Sequence, residues 1–186
     1  SSDLKGGTMR RHLILTLALL GAAAGTLAAQ QRAELSLGGG ITVPTGDFGN
    51  AAKTGWHALG TITWFPAGDP FGVQATALFA QNKFEGGGGK FQMFAALLEG
   101  RLDLRTEGAF RPYVMAGGGV TDVEAKPTSG SSTTRTKIAI DGGVGVAYVG
   151  TSKVGFFVQA RYVNVFDSGP DLAFAPVTAG IRIALK

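Results

Sequence analysis

The strongest constraint on this chain is an alternation of polar and apolar residues that runs from residue 33 to residue 185. Successive side chains on a β-strand point to opposite sides, so alternation produces one apolar wall and one polar wall. The pattern predicts an all-β fold, an eight-stranded antiparallel up-and-down transmembrane β-barrel, because each stretch has about 10 to 15 residues, enough for a tilted strand to cross a bilayer. The predicted strands are 33–43, 55–65, 71–83, 91–104, 111–124, 135–149, 154–166 and 176–185.

Composition supports a single barrel domain. Glycine accounts for 30 of the 186 residues, about twice its average share, which suits crowded, twisted strands better than helices. The chain has no cysteine, which excludes disulfides and thiolate metal sites. Two of its four net positive charges lie within the first eleven residues. The remainder lacks the concentrated basic charge that nucleic-acid binding requires.

The first 29 residues differ in character from the rest. Two arginines follow Met9, and after them come an apolar run over 13–20 and small residues that end at Ala28 and Ala29. This is the pattern of a cleavable secretory signal peptide, with cleavage expected after Ala28 or Ala29. The apolar run is short for a membrane anchor helix. The predicted divisions are 1–8, upstream or non-native residues; 9–29, signal peptide; and 30–186, the barrel domain.

The links between the predicted strands alternate in length. Three are short turns, at 66–70, 105–110 and 150–153, and they define a short-turn end of the barrel. The other links define a loop end and are mostly longer, as at 44–54, with 85–90 as the exception. This asymmetry is typical of bacterial outer-membrane barrels. Because both termini lie at the short-turn end, we expect the loops to face outside the cell.

Aromatic residues on the wall predicted to carry no charge form two belts. On membrane barrels, aromatic rings form girdles at the two interfaces, about 25 Å apart. Aromatic residues favour strands in any case, but that preference does not explain why they share one face. The predicted interface residues are Trp64, Phe71, Tyr113, Tyr148 and Phe156 at the short-turn end, and Trp56, Phe79, Phe94 and Tyr162 towards the loop end.

The other wall is polar and is predicted to line the lumen. Eight strands leave a lumen that side chains can fill, and its four acidic and four basic groups suggest mutual ion pairing rather than an ion path. The predicted lumen charge network is Glu34, Glu99, Arg101, Asp103, Lys137, Asp141, Arg161 and Arg182. The pairs expected from hairpin and closure register are Asp141–Arg161, Glu99–Thr76, Arg101–Gln74 and Glu34–Arg182.

The sequence contains no recognisable catalytic, cofactor or metal motif. His57 is the only histidine expected after cleavage, and no serine or carboxylate accompanies it at catalytic spacing. The glycine run at 86–89 precedes Lys90 as in a phosphate-binding loop, but Phe91 occupies the Ser/Thr position and no helix is predicted to follow. We therefore expect a protein that is not an enzyme and has no catalytic residue, cofactor or metal.

Three segments carry a resemblance to a known group of proteins. They are 38–48, GGGITVPTGDF; 111–119, RPYVMAGGG; and 176–182, PVTAGIR. The chain resembles the small outer-membrane β-barrel proteins of Gram-negative bacteria, including the OmpA-like and OmpW-like barrels, over essentially all of its expected mature length. The resemblance implies location in the cell outer membrane. It also implies outer-membrane lipid, lipopolysaccharide and the barrel assembly machinery as partners, and no nucleic acid.

The favoured interpretation is a non-catalytic barrel with a structural, surface-interaction or limited small-solute passage role. Two alternatives remain open. A secreted lipocalin-like barrel would reverse the two walls and create a cavity for an apolar ligand, lined by Trp56, Trp64, Phe71 and Ile140. A lipid-modifying outer-membrane enzyme would be centred on His57.

Overall fold

Eight strands form one closed antiparallel barrel, in which each strand pairs with the next and the first pairs with the last. The computed structural model describes residues 32–66, 69–86, 88–128, 133–150, 152–166 and 172–185. The strands are β1 (Arg32–Thr45), β2 (Gly55–Phe65), β3 (Phe71–Lys83), β4 (Gly89–Asp103), β5 (Phe110–Pro127), β6 (Thr133–Tyr148), β7 (Val154–Phe166) and β8 (Leu172–Leu185). The predicted signal peptide and the residues before it lie outside the described residues.

The predicted fold class is confirmed, and β2, β3 and β7 have the predicted bounds. The largest difference is at β8, which begins at Leu172 rather than at 176. Residues 172–175 are Leu-Ala-Phe-Ala, which are apolar on both faces. Alternation therefore could not mark this part of the strand.

A short helix, α1 (Gly46–Ala51), lies in the first link, where only a loop was expected. It packs against β1 and β8 at the loop end. Phe48 of this helix is buried, and its ring meets the Phe91 ring edge-on at a centroid distance of 5.2 Å. The helix thereby places an aromatic side chain in the mouth of the barrel. Among the described residues, no helix is both long and apolar enough to cross a membrane.

The outer wall is apolar, as predicted. Trp56 is 50% exposed and Ile140 is 48% exposed. They share this wall with many other exposed apolar side chains, among them Leu37, Ile41, Phe71, Val73, Leu98, Ile138, Val144, Phe156 and Val158. A closed sheet pairs its backbone groups internally, as strands in lipid require. The lipocalin-like alternative is therefore wrong, since it places such residues inside.

One predicted interface residue, Tyr113, lies on the opposite wall. It is 2% exposed and points into the lumen, whereas the other eight predicted rings lie on the outer wall. The prediction takes the outward face of each strand as the one that avoids charge, and in β5 Tyr113 lies on the face opposite Asp122 and Glu124. The two carboxylates lie instead on the outward face of β5 near its loop end, where charge is tolerated. That the eight outward rings mark the membrane interfaces stays a prediction.

Candidate functional site in the lumen and at the loop end

Near the short-turn end, five charged side chains form a cluster, which we call the lower cluster: Arg32, Glu34, Arg101, Asp103 and Arg182. Arg32 Nη2 lies 2.7 Å from Asp103 Oδ2, and its Nε lies 3.0 Å from Glu34 Oε1. Arg101 Nε lies 2.9 Å from Asp103 Oδ1, and Arg182 forms an ion pair with Glu34, as predicted. Three guanidinium groups share two carboxylates, so the formal charge of the cluster is +1. Arg32 had no predicted role, because it precedes the predicted first strand.

In the middle of the lumen, Arg161 lies between two carboxylates in what we call the central cluster. Its Nη1 contacts Glu99 Oε1 and lies 2.9 Å from Asp141 Oδ2. All three side chains are fully buried, and the formal charge is −1. Glu99 also accepts hydrogen bonds from Gln74, at 2.8 Å, and from Thr76. The predicted Asp141–Arg161 and Glu99–Thr76 contacts are both confirmed.

The predicted contact between Arg101 and Gln74 is wrong, because the register of β3 and β4 differs from the predicted one by two residues. Gln74 is opposite Glu99 in the observed register, and Arg101 is opposite Gly72. Arg101 instead lies over the Tyr113 ring, 3.8 Å from its centroid. The Tyr113 hydroxyl donates a hydrogen bond to Gln159 Oε1 at 3.0 Å. Tyr113 thus packs between the charged groups of the lumen, because the face of β5 that carries it points inward.

Towards the loop end the lumen becomes apolar, which the alternation did not predict. The fully buried apolar side chains here include Leu78, Ala80, Met93, Val163, Val165 and Phe174. Leu78 and Val163 stand on the same wall as the charged groups, so their strands carry apolar residues on both faces at this level. The lumen therefore has two parts, a charged half at the short-turn end and a largely apolar half towards the loops. The second part, which we call the apolar half, also contains the buried polar side chains of Thr42, His57, Asn82 and Thr178.

His57 lies among these polar side chains in the apolar half. Its Nδ1 is 3.1 Å from Thr42 Oγ1, and its Nε2 is 2.8 Å from Thr178 Oγ1. The residue is buried within the barrel and faces away from the outer wall. Both ring nitrogens are thus in contact with threonine hydroxyls, and the surrounding side chains leave little access for a lipid substrate. This geometry gives no support to a lipid-modifying site at His57.

A pocket of about 470 Å³ opens at the loop end above Phe48. Its apolar lining includes Phe48, Phe91 and Leu172, and its polar lining includes Arg135 and Lys137. Lys137, predicted to belong to the charge network, is thus at the mouth rather than in either cluster. In the described part of the chain, no group of three or more His, Asp or Glu side chains is placed to hold a metal ion.

Comparison with known proteins identifies the family. The sequence profile described as "Outer membrane protein beta-barrel domain" matches residues 14–182. The chain belongs to this family. An outer membrane β-barrel of this kind resides in the cell outer membrane, which confirms the predicted location and the resemblance to Gram-negative outer-membrane barrels. The apolar outer wall is therefore the surface that meets lipid.

Solved structures of the same fold agree with this assignment. Neisserial surface protein A is 16% identical with a TM-score of 0.62, and the match covers 83% of this chain and 97% of that one. OprG from Pseudomonas aeruginosa is 14% identical with a TM-score of 0.59, covering 84% and 98%. The N-terminal β-barrel domain of OprF from the same species is 16% identical with a TM-score of 0.53, also covering 84% and 98%. At these identities the similarity establishes the fold alone. No curated protein sequence matches the chain significantly.

Proposed function

We propose that this protein is a non-conducting outer-membrane barrel with a structural and surface-interaction role, rather than a path for solutes. The observation that carries the proposal is the central cluster, in which Glu99, Asp141 and Arg161 meet with fully buried side chains. The lower cluster lies beneath it and is also largely buried. Eight strands leave a lumen that side chains alone can fill, and the buried side chains of the two clusters lie in it.

Energetics support a closed lumen. A solute that crossed the barrel would have to separate Arg161 from its two carboxylates. Leaving a buried charge without its partner costs about 3 to 5 kcal/mol, and the apolar half above the cluster offers the displaced groups little compensation. Loops are the usual carriers of variable binding functions on a rigid scaffold. The proposed function of this barrel is therefore carried by its loops and outer surface rather than by its lumen.

Conductance across planar lipid bilayers tests the proposal. The wild-type barrel should show no steady conductance. A variant with Arg161, Glu99 and Asp141 all replaced by alanine should conduct, because the substitutions remove the groups that fill the lumen. Lys153→Ala, at an exposed turn residue, is the control and should remain closed. A steady wild-type conductance that the triple variant leaves unchanged would overturn the proposal.

A second role, the binding of a small amphipathic molecule, is favoured by the loop-end pocket. The volume of about 470 Å³ lies within the range of roughly 300 to 1,000 Å³ typical of ligand pockets. The pocket has an apolar floor at Phe48 and Phe91, and its basic groups, Arg135 and Lys137, outnumber its one carboxylate, Asp47. This lining suits a molecule with one alkyl chain and an anionic head. Such binding needs no passage through the central cluster.

Titration of the barrel with dodecanoate and with dodecanol tests this second role. We expect dodecanoate to bind more tightly, and Arg135→Gln to reduce that preference. The control Lys153→Gln has the same charge change at the other end of the barrel. If wild type and Arg135→Gln bind dodecanoate equally, the proposed preference for an anionic head group is wrong. If neither compound binds, the pocket is not a binding site for such molecules.

A further inference from the structure

Three lysines stand side by side on the outer wall near the loop end. Lys83 of β3 is directly opposite Lys90 of β4, and Lys90 is directly opposite Lys126 of β5. All three lie on the outward side of their strands, with Lys83 exposed and the other two partly buried. We call them the lysine row. Adjacent strands are about 4.8 Å apart, so three lysine side chains extend from neighbouring positions on one wall.

This arrangement is unfavourable for the barrel by itself, because like charges directly opposite each other destabilise a sheet. Local groups compensate only in part. Lys126 Nζ lies 3.0 Å from Glu124 Oε2 and donates to Gln92 Oε1 at 2.6 Å. Lys90 Nζ donates to Gln81 Oε1 at 3.1 Å. Glu124 is the carboxylate bonded to the row, so three ammonium groups and one carboxylate leave a formal charge of +2.

The row lies at the outer edge of the lipid headgroup layer. The rings of Phe79 and Phe94 are on opposed residues of β3 and β4, and the row begins four residues further towards the loops. Four residues of a strand tilted by about 45° rise roughly 9 to 10 Å. The polar layer adds about 5 to 8 Å on each side of the hydrocarbon core. If the Phe79–Phe94 pair marks the edge of the hydrocarbon, the backbone of the row therefore lies just beyond the outer edge of this layer, and the long lysine side chains reach back to the headgroups.

We propose that the lysine row binds the phosphate groups of the lipid A part of lipopolysaccharide. The inference rests on the surface role proposed above and on an orientation with the loops outside. Lysine is a compact, strongly hydrated donor that suits phosphate oxygens. Two phosphates beside the row would neutralise its excess charge, so that ion pairs between lysine and phosphate replace the repulsion between neighbouring lysines. The aliphatic parts of the lysines would meanwhile cover the apolar wall below.

The test compares two variants with the same change in charge. One replaces Lys83, Lys90 and Lys126 with glutamine, and the control replaces Arg105, Arg111 and Lys153, at the short-turn end, with glutamine. Each barrel is inserted into phosphatidylcholine vesicles with or without lipid A, and the urea midpoint of unfolding is measured. A third sample holds phosphatidylcholine vesicles with inorganic pyrophosphate in solution.

Lipid A should raise the midpoint of the wild type and of the control, and the lysine-row variant should lose most of that rise. In phosphatidylcholine alone, the lysine-row variant should be at least as stable as the wild type, since repulsion within the row has been removed. If the triple variant does not fold, Lys90→Gln alone tests the middle of the row, and a partial loss of the rise is expected.

Three results would overturn the proposal. In the first, the lysine-row variant keeps the full rise in urea midpoint that lipid A produces, so the row is not needed. In the second, the control variant loses as much of that rise as the lysine-row variant, which would indicate general charge attraction. Alternatively, pyrophosphate alone produces the same rise, which would indicate a site for free phosphate rather than for a lipid. Conductance is measured separately, so a conducting barrel that still responds to lipid A would refute the closed lumen and leave the lysine row intact.

Discussion

Replacing Arg161 with methionine should destabilise the barrel by about 3 to 5 kcal/mol, the usual cost of removing one partner from a buried ion pair. Arg161 contacts Glu99 and lies 2.9 Å from Asp141, and none of the three side chains is exposed. Methionine keeps most of the aliphatic length of arginine, so little packing is lost. The variant leaves two carboxylates facing one another in a site shielded from water.

Urea unfolding in lipid vesicles measures the effect, with Trp56 and Trp64 as fluorescent reporters. The midpoint should fall while the slope stays constant, because the surface exposed on unfolding does not change. Lys153→Met, at an exposed turn residue, should change stability by less than about 0.5 kcal/mol. The difference in free energy of unfolding between wild type and Arg161→Met should become smaller as the pH falls, because protonated carboxyl groups carry no charge for a guanidinium group to neutralise.

A triple variant distinguishes charge from packing. When Arg161→Met is combined with Glu99→Gln and Asp141→Asn, the unpaired charges disappear, and most of the lost stability should return. The reasoning is refuted if Arg161→Met is as stable as Lys153→Met. It is equally refuted if the triple variant is as unstable as the single one, since packing rather than ion pairing would then account for the loss.

Three further predictions concern the walls. Ile140→Arg, in the middle of β6, should cost about 2 to 4 kcal/mol because it places charge against lipid; an unchanged urea midpoint would contradict this. Gly38→Val should cost about 1 to 3 kcal/mol by overpacking, since a Cβ there would lie 2.9 Å from Phe157 Cζ; an unchanged temperature for loss of the folded band on unheated gels would exclude the contact. Tyr113→Phe should cost about 1 to 3 kcal/mol, because it removes the donor to Gln159; destabilisation no greater than that of Phe110→Leu, on the outer wall, would place the tyrosine outside the lumen.

Local periodicity accounts for what could be predicted. The bounds of β2, β3 and β7 and the contact between Glu34 and Arg182 follow from two facts, that side chains alternate with period two and that antiparallel neighbours have a fixed register. Predicted register was off by two residues at Asp141, which is opposite Val163. The contact with Arg161 survived the error, because a shift of two residues keeps a side chain on the same wall.

Errors arose where the two faces of a strand have similar chemistry. In β5 the glycines at 117–119 and the carboxylates at its loop end gave the wrong phase, and Tyr113 was placed on the wrong wall. The helix α1 is too short to show a periodicity of its own. The apolar part of the lumen was missed because the inner wall was interpreted as polar along its whole length, although the predicted alternation already places Leu78 and Val163 on that wall.

The sequence by itself determined the closed barrel and its apolar exterior, because alternation over eight stretches permits few other arrangements. It also determined which wall holds most of the charge. Only the tertiary structure decided how those charges are grouped, since Arg32, Arg101 and Arg182 come from three strands and meet around Glu34 only when β1 closes on β8. The lysine row, likewise, exists only through the register of β3, β4 and β5. Residues far apart in the chain become neighbours through strand pairing, and periodicity along one strand carries no information about that.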